Sequence, residues 1–352
     1  RKITQYTRYL TMGISLIQSA GISLWLEKTT TPGGAPLVPH PGWGFRIITM
    51  LTLTTGCAFV MWLGEQITER GVGNGISLII FAGIVVGLPG AIVQTISSLQ
   101  SGTTSVLKML ILIVFMFAVV AFIVYMERAQ RRIPVQYAKR VVGRRIYGGQ
   151  NTYLPLRVNT GGVIPVIFAS SVVMIPTTIA GMFQNEWLQN IADAISWGQP
   201  IYYLLYASAI IFFSYFYVSI IFNPADTAEN LRKYCGFSPG IRSGRRTAQS
   251  NDRIRTRLSL VGAVYLAAVS ILPEFLLSGM KVEGLPFIGS TLDAVMPAWF
   301  TQGMGIQFYF GGTSLLIVVG VAMDTVQQVE RQLVMRNYEG FMKRGRIRGR
   351  RG

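Results

Sequence analysis

An all-α polytopic membrane protein carrying a cytoplasmic β-hairpin is the fold class this sequence predicts. Three observations predict it. The 352 residues are 51% hydrophobic and only 13% charged, where a soluble domain carries about 25% charged residues. Apolar runs long enough to cross a bilayer, roughly 20 residues each, recur eight times. The basic residues gather between those runs: Glu127–Thr160, Asn223–Arg257 and the tail after Met323 hold eight each of the 32 Lys and Arg. The net charge of +17 therefore describes one face of a membrane rather than a surface for nucleic acid.

The spans read in order as Tyr9–Leu26, Phe45–Leu63, Gly75–Ile96, Val106–Met126, Gly162–Phe183, Ile201–Phe222, Leu258–Leu277 and a last one from Gly311 through Met323. Arg46 is expected to snorkel at the edge of the second. The seventh is expected to break at Pro273, and Pro165 and Pro176 free backbone carbonyls in the fifth, which permits either a moving helix or a static kink. A short surface helix is expected around Leu292–Phe300. The chain start, the 64–74 link, both basic loops and the tail fall on one side of the membrane. The Pro/Gly-rich loop Thr31–Gly44 and the weakly charged links fall on the other. Lys/Arg bias makes the first side cytoplasmic, with both ends of this chain inside. No cleavage pattern of a signal peptide follows the first apolar run.

Glu127–Thr160 is more than an anchor. Ile133, Val135 and Tyr137 alternate with polar residues, and Ile146 and Tyr153 follow a turn signal at Gly143. This pattern predicts a β-hairpin with Arg144 and Arg145 at or near its tip. Glu127 is the segment's one acid.

Several chemistries lack their residues. The span interiors hold almost no ionisable groups, with Arg46, Lys108 and Glu274 near span edges, whereas ion-coupled transporters keep such groups inside. Cys57 sits in an apolar run and Cys235 in a basic loop, so no disulfide is expected. His40 is the only histidine, and a metal centre or Ser-His catalysis would have to use it alone. No Walker A run, HExxH or GxSxG occurs. No catalytic residues, metal or cofactor are expected, and work on a substrate would come from another protein. Inside the third span, Gly83 and Gly87 lie one turn apart, a spacing that permits close helix packing. Ile76 and Ile80 share a helix face. On spacing alone both pairs read as packing in the membrane.

Five blocks carry a resemblance to a known family: WLGEQITERGVGNGISLIIFAGIV (62–85), ERAQRRIPVQYAKRVVGRRIYGGQ (127–150), GVIPVIFASS (162–171), FNPADTAENLRKYCGFSPGIR (222–242) and GGTSLLIVVGVAMDT (311–325). They resemble the bacterial SecY family, the central subunit of the Sec protein-conducting channel. IPVQYAKR and PGIR are the sharpest pieces. That family is a helical bundle of ten spans in two pseudosymmetric halves. Residues 1–126 correspond to its spans three to six, 161–222 to spans seven and eight, and 258–332 to spans nine and ten. The stretches 127–160 and 223–257 are its basic cytoplasmic loops, and 333–352 a basic cytoplasmic tail. The family's first span, plug segment and second span have no counterpart in these residues, and a missing segment is the expected reason.

The resemblance implies a function and its sites. It implies a subunit of a channel that moves unfolded polypeptides across, or sideways into, the bacterial plasma membrane. Ile76, Ile80, Ile167 and Ile317 match the family's hydrophobic pore ring, and Ile167 and Ser171 its lateral gate. Arg144 and Arg145 match the ribosome-contacting hairpin, and Arg242 an arginine needed for work with the motor ATPase SecA. The implied partners are SecE and SecG-type small subunits, SecA, the ribosome through its rRNA, an unfolded secretory polypeptide and membrane lipids. An ion-coupled solute transporter and a membrane scaffold that docks ribosomes are the competing readings.

Overall fold

A computed structural model of the chain describes residues 2–30, 35–102, 105–137, 140–142, 145–147, 152–182, 186–221, 229, 236–237, 244–279, 303 and 311–344. The fold is helical. In chain order the helices are α1 (Lys2–Lys28), α2 (Trp43–Arg70), α3 (Gly75–Gln100), α4 (Val106–Arg128), α5 (Ile164–Met182), α6 (Glu186–Ala194), α7 (Pro200–Ile221), α8 (Arg245–Ser278) and α9 (Gly312–Arg344). The strands are β1 (Gln130–Tyr137), β2 (Arg140–Val142), β3 (Arg145–Tyr147), β4 (Thr152–Arg157) and β5 (Gly236–Phe237). Among the described residues seven helices are long and apolar enough to cross a membrane, and α5 is a shorter apolar helix at the fifth expected span. Its 19 residues rise about 28 Å, close to the roughly 30 Å of a bilayer's hydrocarbon core.

The chain divides into two compact units. The first comprises Arg1–Gly87, Met174–Ser196 and Val321–Gly352. Here α1 and α2 pack through small polar residues. Ser15, Ser19 and Ser23 fall every fourth position and are buried. Ser19 and Ser23 return their hydroxyls to Leu16 O and Ala20 O, which satisfies them inside an apolar setting. Ser19 Oγ also lies 3.3 Å from Thr54 Oγ1. One end of the pair is tied by Arg8 Nε to Glu65 Oε1 at 2.7 Å. At the other end Arg46 does not snorkel. It donates through Nε and Nη2 to the Glu27 carboxylate, which also accepts from Gly42 N, and it lies 5.3 Å from the Trp43 ring centroid. A fork of donors facing a nearly buried carboxylate outcompetes solvent.

The link from α2 to α3 is a tight turn rather than a loose loop, and α2 reaches Arg70 instead of stopping near Leu63. Gly71 N closes the helix on Ile67 O. Thr68 Oγ1 donates to Gly64 O and accepts from Gly75 N, both at 2.8 Å. Asn74 Oδ1 caps α3 through Ile76 N at 3.1 Å, as N-cap asparagines do. Gly73 holds φ +92° beside Leu78 and Thr325, a conformation that side chains resist.

The second unit comprises Leu88–Val173 and Trp197–Gly320. Its centre is α8, whose Ala263, Leu266, Val269, Ser270, Pro273 and Leu277 are all buried. The facing stripe of α7 is Tyr203, Tyr206, Ile210, Ser214 and Val218, spaced as one helix face. Two expectations about α8 are corrected. It begins at Arg245 rather than near Leu258, and it runs through Pro273 without breaking. Pro273 removes one donor, that for Val269 O, and the start of α9 crosses at that spot: a Cβ on Gly312 would stand 2.5 Å from the carbonyl oxygens of Val269 and Ser270. Pro165 also differs from expectation. It lies in the first turn of α5, where no hydrogen bond is lost, so Pro176 alone interrupts the α5 ladder. Around Gly83 a Cβ would meet nothing within 4 Å, so among the described residues the close packing that the glycine spacing permits is not used at that position.

The basic arm between α4 and α5 pairs where the alternation predicts strands. β1 pairs antiparallel with β4 from Gln130↔Arg157 to Val135↔Thr152, with Ile133 and Val135 buried. Its far end pairs with β5, a partner from a distant loop. β2 and β3 form a second ladder further out. The sequence reading missed α6, an amphipathic helix in one of the weakly charged links. The expected helix at Leu292–Phe300 and Cys235 lie outside the described residues. Cys57 is a free thiol.

Candidate channel constriction and cytosolic arm

Ile76 sits in the first turn of α3, just past the Asn74 cap, with its Cγ1 3.1 Å from where a Cβ on Gly64 would stand. It remains 55% exposed. Ile80, one turn on, is half-buried. Both belong to the first unit.

Ile167, Ser171 and Ile317 belong to the second. Ile167 is half-buried and Ser171 exposed on α5. The hydroxyls of Ser170 and Ser171 both return to Ile167 O, at 2.9 and 2.8 Å. Ile317 is buried on α9 beside fully buried Leu316. Val163 packs so close to Gly320 that any Cβ there would overlap its Cγ1. Ile167 lies one turn beyond Val163 along α5. Ile317 lies one turn before Gly320 along α9. The Val163–Gly320 approach is the contact the structure shows nearest to both isoleucines along the chain.

In the arm, Arg145 opens β3 and faces Val142 across the ladder. The residues between them, Gly143 and Arg144, include the expected tip and are not described. Arg144 and Arg242 lie outside the described residues.

Sequence reasoning missed the root of the arm. Glu127, the last acid before the basic segment, is 9% exposed and Asn159 is 6% exposed. Asn159 Nδ2 donates to Glu127 Oε1 at 2.6 Å and to Gly162 O at 3.3 Å. The available signal was a single acid kept beside seven arginines and one lysine. Also unforeseen is a buried polar cluster joining α7, α8 and α9. Tyr202 donates to Glu274 Oε1 and Tyr203 to Gly279 O, both at 3.3 Å, and Tyr206 OH lies 3.0 Å from Thr313 Oγ1.

Comparison with known proteins agrees with this architecture. The SecY family model matches residues 1–326. Protein translocase subunit SecY of Escherichia coli (strain K12) is 48% identical over 353 residues, spanning 99% of this chain and 74% of that protein. The subunit of the same name from Vibrio cholerae serotype O1 is 47% identical over 356 residues, again 99% and 74%. A solved structure described as "The structure of a protein conducting channel" superposes with a TM-score of 0.64 at 17% identity, covering 93% of this chain and 72% of the other. At that identity the likeness speaks for the fold, while the relatives speak for descent. The protein is thus a multi-pass membrane protein with a channel-type fold, and the chain belongs to the SecY family.

Proposed function

We propose that this chain is the channel-forming subunit of a bacterial protein translocase. It moves unfolded polypeptides across the plasma membrane or releases them sideways into it. The observation that carries this is the match to relatives named translocase subunit SecY over 99% of the chain. The charge pattern fits, since the basic blocks place the arm and both ends of this chain in the cytosol. By family resemblance Ile76, Ile80, Ile167 and Ile317 are assigned to the hydrophobic pore ring, a type of ring in which branched apolar side chains grip an extended chain and repel water by dewetting. Ile167 and Ser171 face the lateral gate. SecE and SecG-type subunits complete the complex, SecA or a ribosome drives it, and lipids surround it.

Reconstitution tests this. Proteoliposomes holding the protein and its small subunits, supplied with SecA, ATP and an unfolded secretory substrate, are expected to shield that substrate from added protease. Failure to shield it, with solute uptake driven by a proton gradient, would establish the transporter instead. Ribosome docking with no polypeptide passage would establish the scaffold.

Two further expectations concern the cytosolic arginines. Arg144→Glu with Arg145→Glu should weaken ribosome binding most at low salt, because exposed charges are screened as salt rises. The slope of log affinity against log salt should shrink by roughly one for each lost phosphate contact. Binding titrations at several ionic strengths check this, and unchanged affinity at low salt refutes it. Arg242 lies between Pro239–Gly240 and Gly244, a turn signal on a cytosolic loop. Arg242→Glu should cut SecA-dependent export about tenfold or more, the scale of one lost charge-assisted contact, while the protein stays inserted. Normal export kinetics would remove Arg242 from that role.

A further inference from the structure

We propose that Asn159 and Glu127 form a brace that couples the cytosolic arm to α5, so that force on the arm reaches the start of that helix. This rests on the channel reading above.

The arm meets the membrane body at two places. On the way out, α4 ends at Arg128 and Ala129 N closes on Met126 O. On the way back, β4 ends at Arg157, and Val158 N adds one more cross-strand bond to Ala129 O at 3.1 Å. The strands are thus held in register down to their root. Between that root and α5 stand Gly161 and Gly162, and Gly162 takes φ +59°. Paired glycines are the most pliant link a chain can offer. Left alone, they would let the arm swing without disturbing α5.

Asn159 spans this link. One amide nitrogen reaches backward to the Glu127 carboxylate at the end of α4 and forward to Gly162 O. One residue beyond Asn159's forward bond begins the ladder of α5, where Val163 O accepts from Val166 N and Ile167 N. Packing closes the remaining freedom. A Cβ on Gly262 of α8 would stand 2.6 Å from Val158 O, and one on Gly161 would stand 3.0 Å from Pro165 Cγ. The root of the arm, the end of α4 and the first turn of α5 therefore move together. A hydrogen bond to a buried carboxylate is among the stronger ones a protein makes, and at this site it crosses a hinge. Asn159 is a positioning residue. It touches neither partner nor polypeptide, and its role is to stiffen the connection between them.

The test uses the protein in proteoliposomes with its small subunits, comparing Asn159→Ala, Asn159→Ser and Glu127→Gln with wild type. Four quantities are read: ribosome affinity, ion leak without a partner, thermal stability, and the increase in polypeptide passage on ribosome binding. Asn159→Ala is expected to reduce that increase about tenfold while affinity, leak and stability stay within twofold of wild type. Asn159→Ser retains a single donor and should fall between; it also serves if the alanine variant fails to insert. Glu127→Gln keeps an acceptor for Asn159 but removes its charge, so it should fall between Asn159→Ala and wild type. A ribosome-stimulated passage that survives Asn159→Ala overturns the brace. A parallel loss of stability, affinity and passage also overturns it, leaving a purely structural pair. If wild-type protein shows no ribosome-stimulated passage, the channel reading itself fails, and the wild-type sample alone reveals that.

Discussion

Gly312→Val is expected to lose about 3 kcal/mol of stability or more, the upper range for overpacking a tight contact. The cause is backbone rather than side chain. A Cβ at Gly312 would stand 2.5 Å from the carbonyl oxygens of both Val269 and Ser270, and 2.9 Å from Pro273 Cδ. None of these atoms can rotate away. α9 would have to lift off α8, which is the most buried helix of its unit, and Tyr206 would lose Thr313 on the neighbouring position. Gly83→Ala supplies the contrast. There a Cβ meets nothing within 4 Å, and alanine in a helix interior gains roughly 0.5–1 kcal/mol over glycine. Thermal unfolding of the purified protein in one detergent compares the two directly. Equal melting temperatures would mean that α8 and α9 do not cross at Gly312.

Glycine also shows what the sequence could and could not reveal. The Gly83–Gly87 spacing is a legible packing signal, yet the glycines crowded by residues far along the chain include Gly312, Gly320 and Gly262, which carry no such pattern. Their neighbours, Val269, Val163 and Val158, are distant in sequence, so only the folded chain brings them close. Hydropathy found the seven membrane-length helices and the shorter α5 among the described residues, because the bilayer demands unbroken apolar length. It misplaced the start of α8 for the same reason. Arg246, Arg253 and Arg257 are exposed on that helix while Thr247 and Asn251 are buried. A mixed helix of this kind has no apolar run to detect. α6 was missed because nine residues are too few for a span.

The arm was the most legible part. Period-two alternation at Ile133 and Val135 corresponds to burial on one face. Its third strand was not legible, because two residues, Gly236–Phe237, carry no period. Ion pairs were similarly hidden. Arg46 read as a lone charge at a span edge until the fold placed Glu27 beside it. For the constriction, residue spacing supplied the Ile76–Ile80 pair and nothing more; Ile167 and Ile317 entered through family resemblance. The structure adds that these two stand one turn from the Val163–Gly320 contact.

Asparagine at the constriction is expected to open a leak. A ring of isoleucines holds back ions because water inside it has no polar partner. An amide offers one. Leaving a polar group without a partner costs about 1–3 kcal/mol in proteins, so providing one should favour a wetted gap by about ten- to a hundredfold. Ile167→Asn and Ile76→Asn should therefore raise resting ion conductance on that scale and relax the need for a good signal sequence. Ile317→Asn should leak as well, but its side chain is only 6% exposed, so lost stability should accompany the leak. Val114→Asn is the control. Val114 is 62% exposed on α4 with Leu110 and Phe117 on neighbouring turns, a face suited to lipid. An amide there should hinder insertion and leave conductance unchanged. Planar bilayers measure the conductance, and export of a substrate with a defective signal measures the relaxed selectivity. If Ile167→Asn and Ile76→Asn behave like Val114→Asn, those isoleucines face lipid and the ring is wrongly placed. If only the α3 variant leaks, the constriction lies on α3 and the match at Ile167 carries no sealing role.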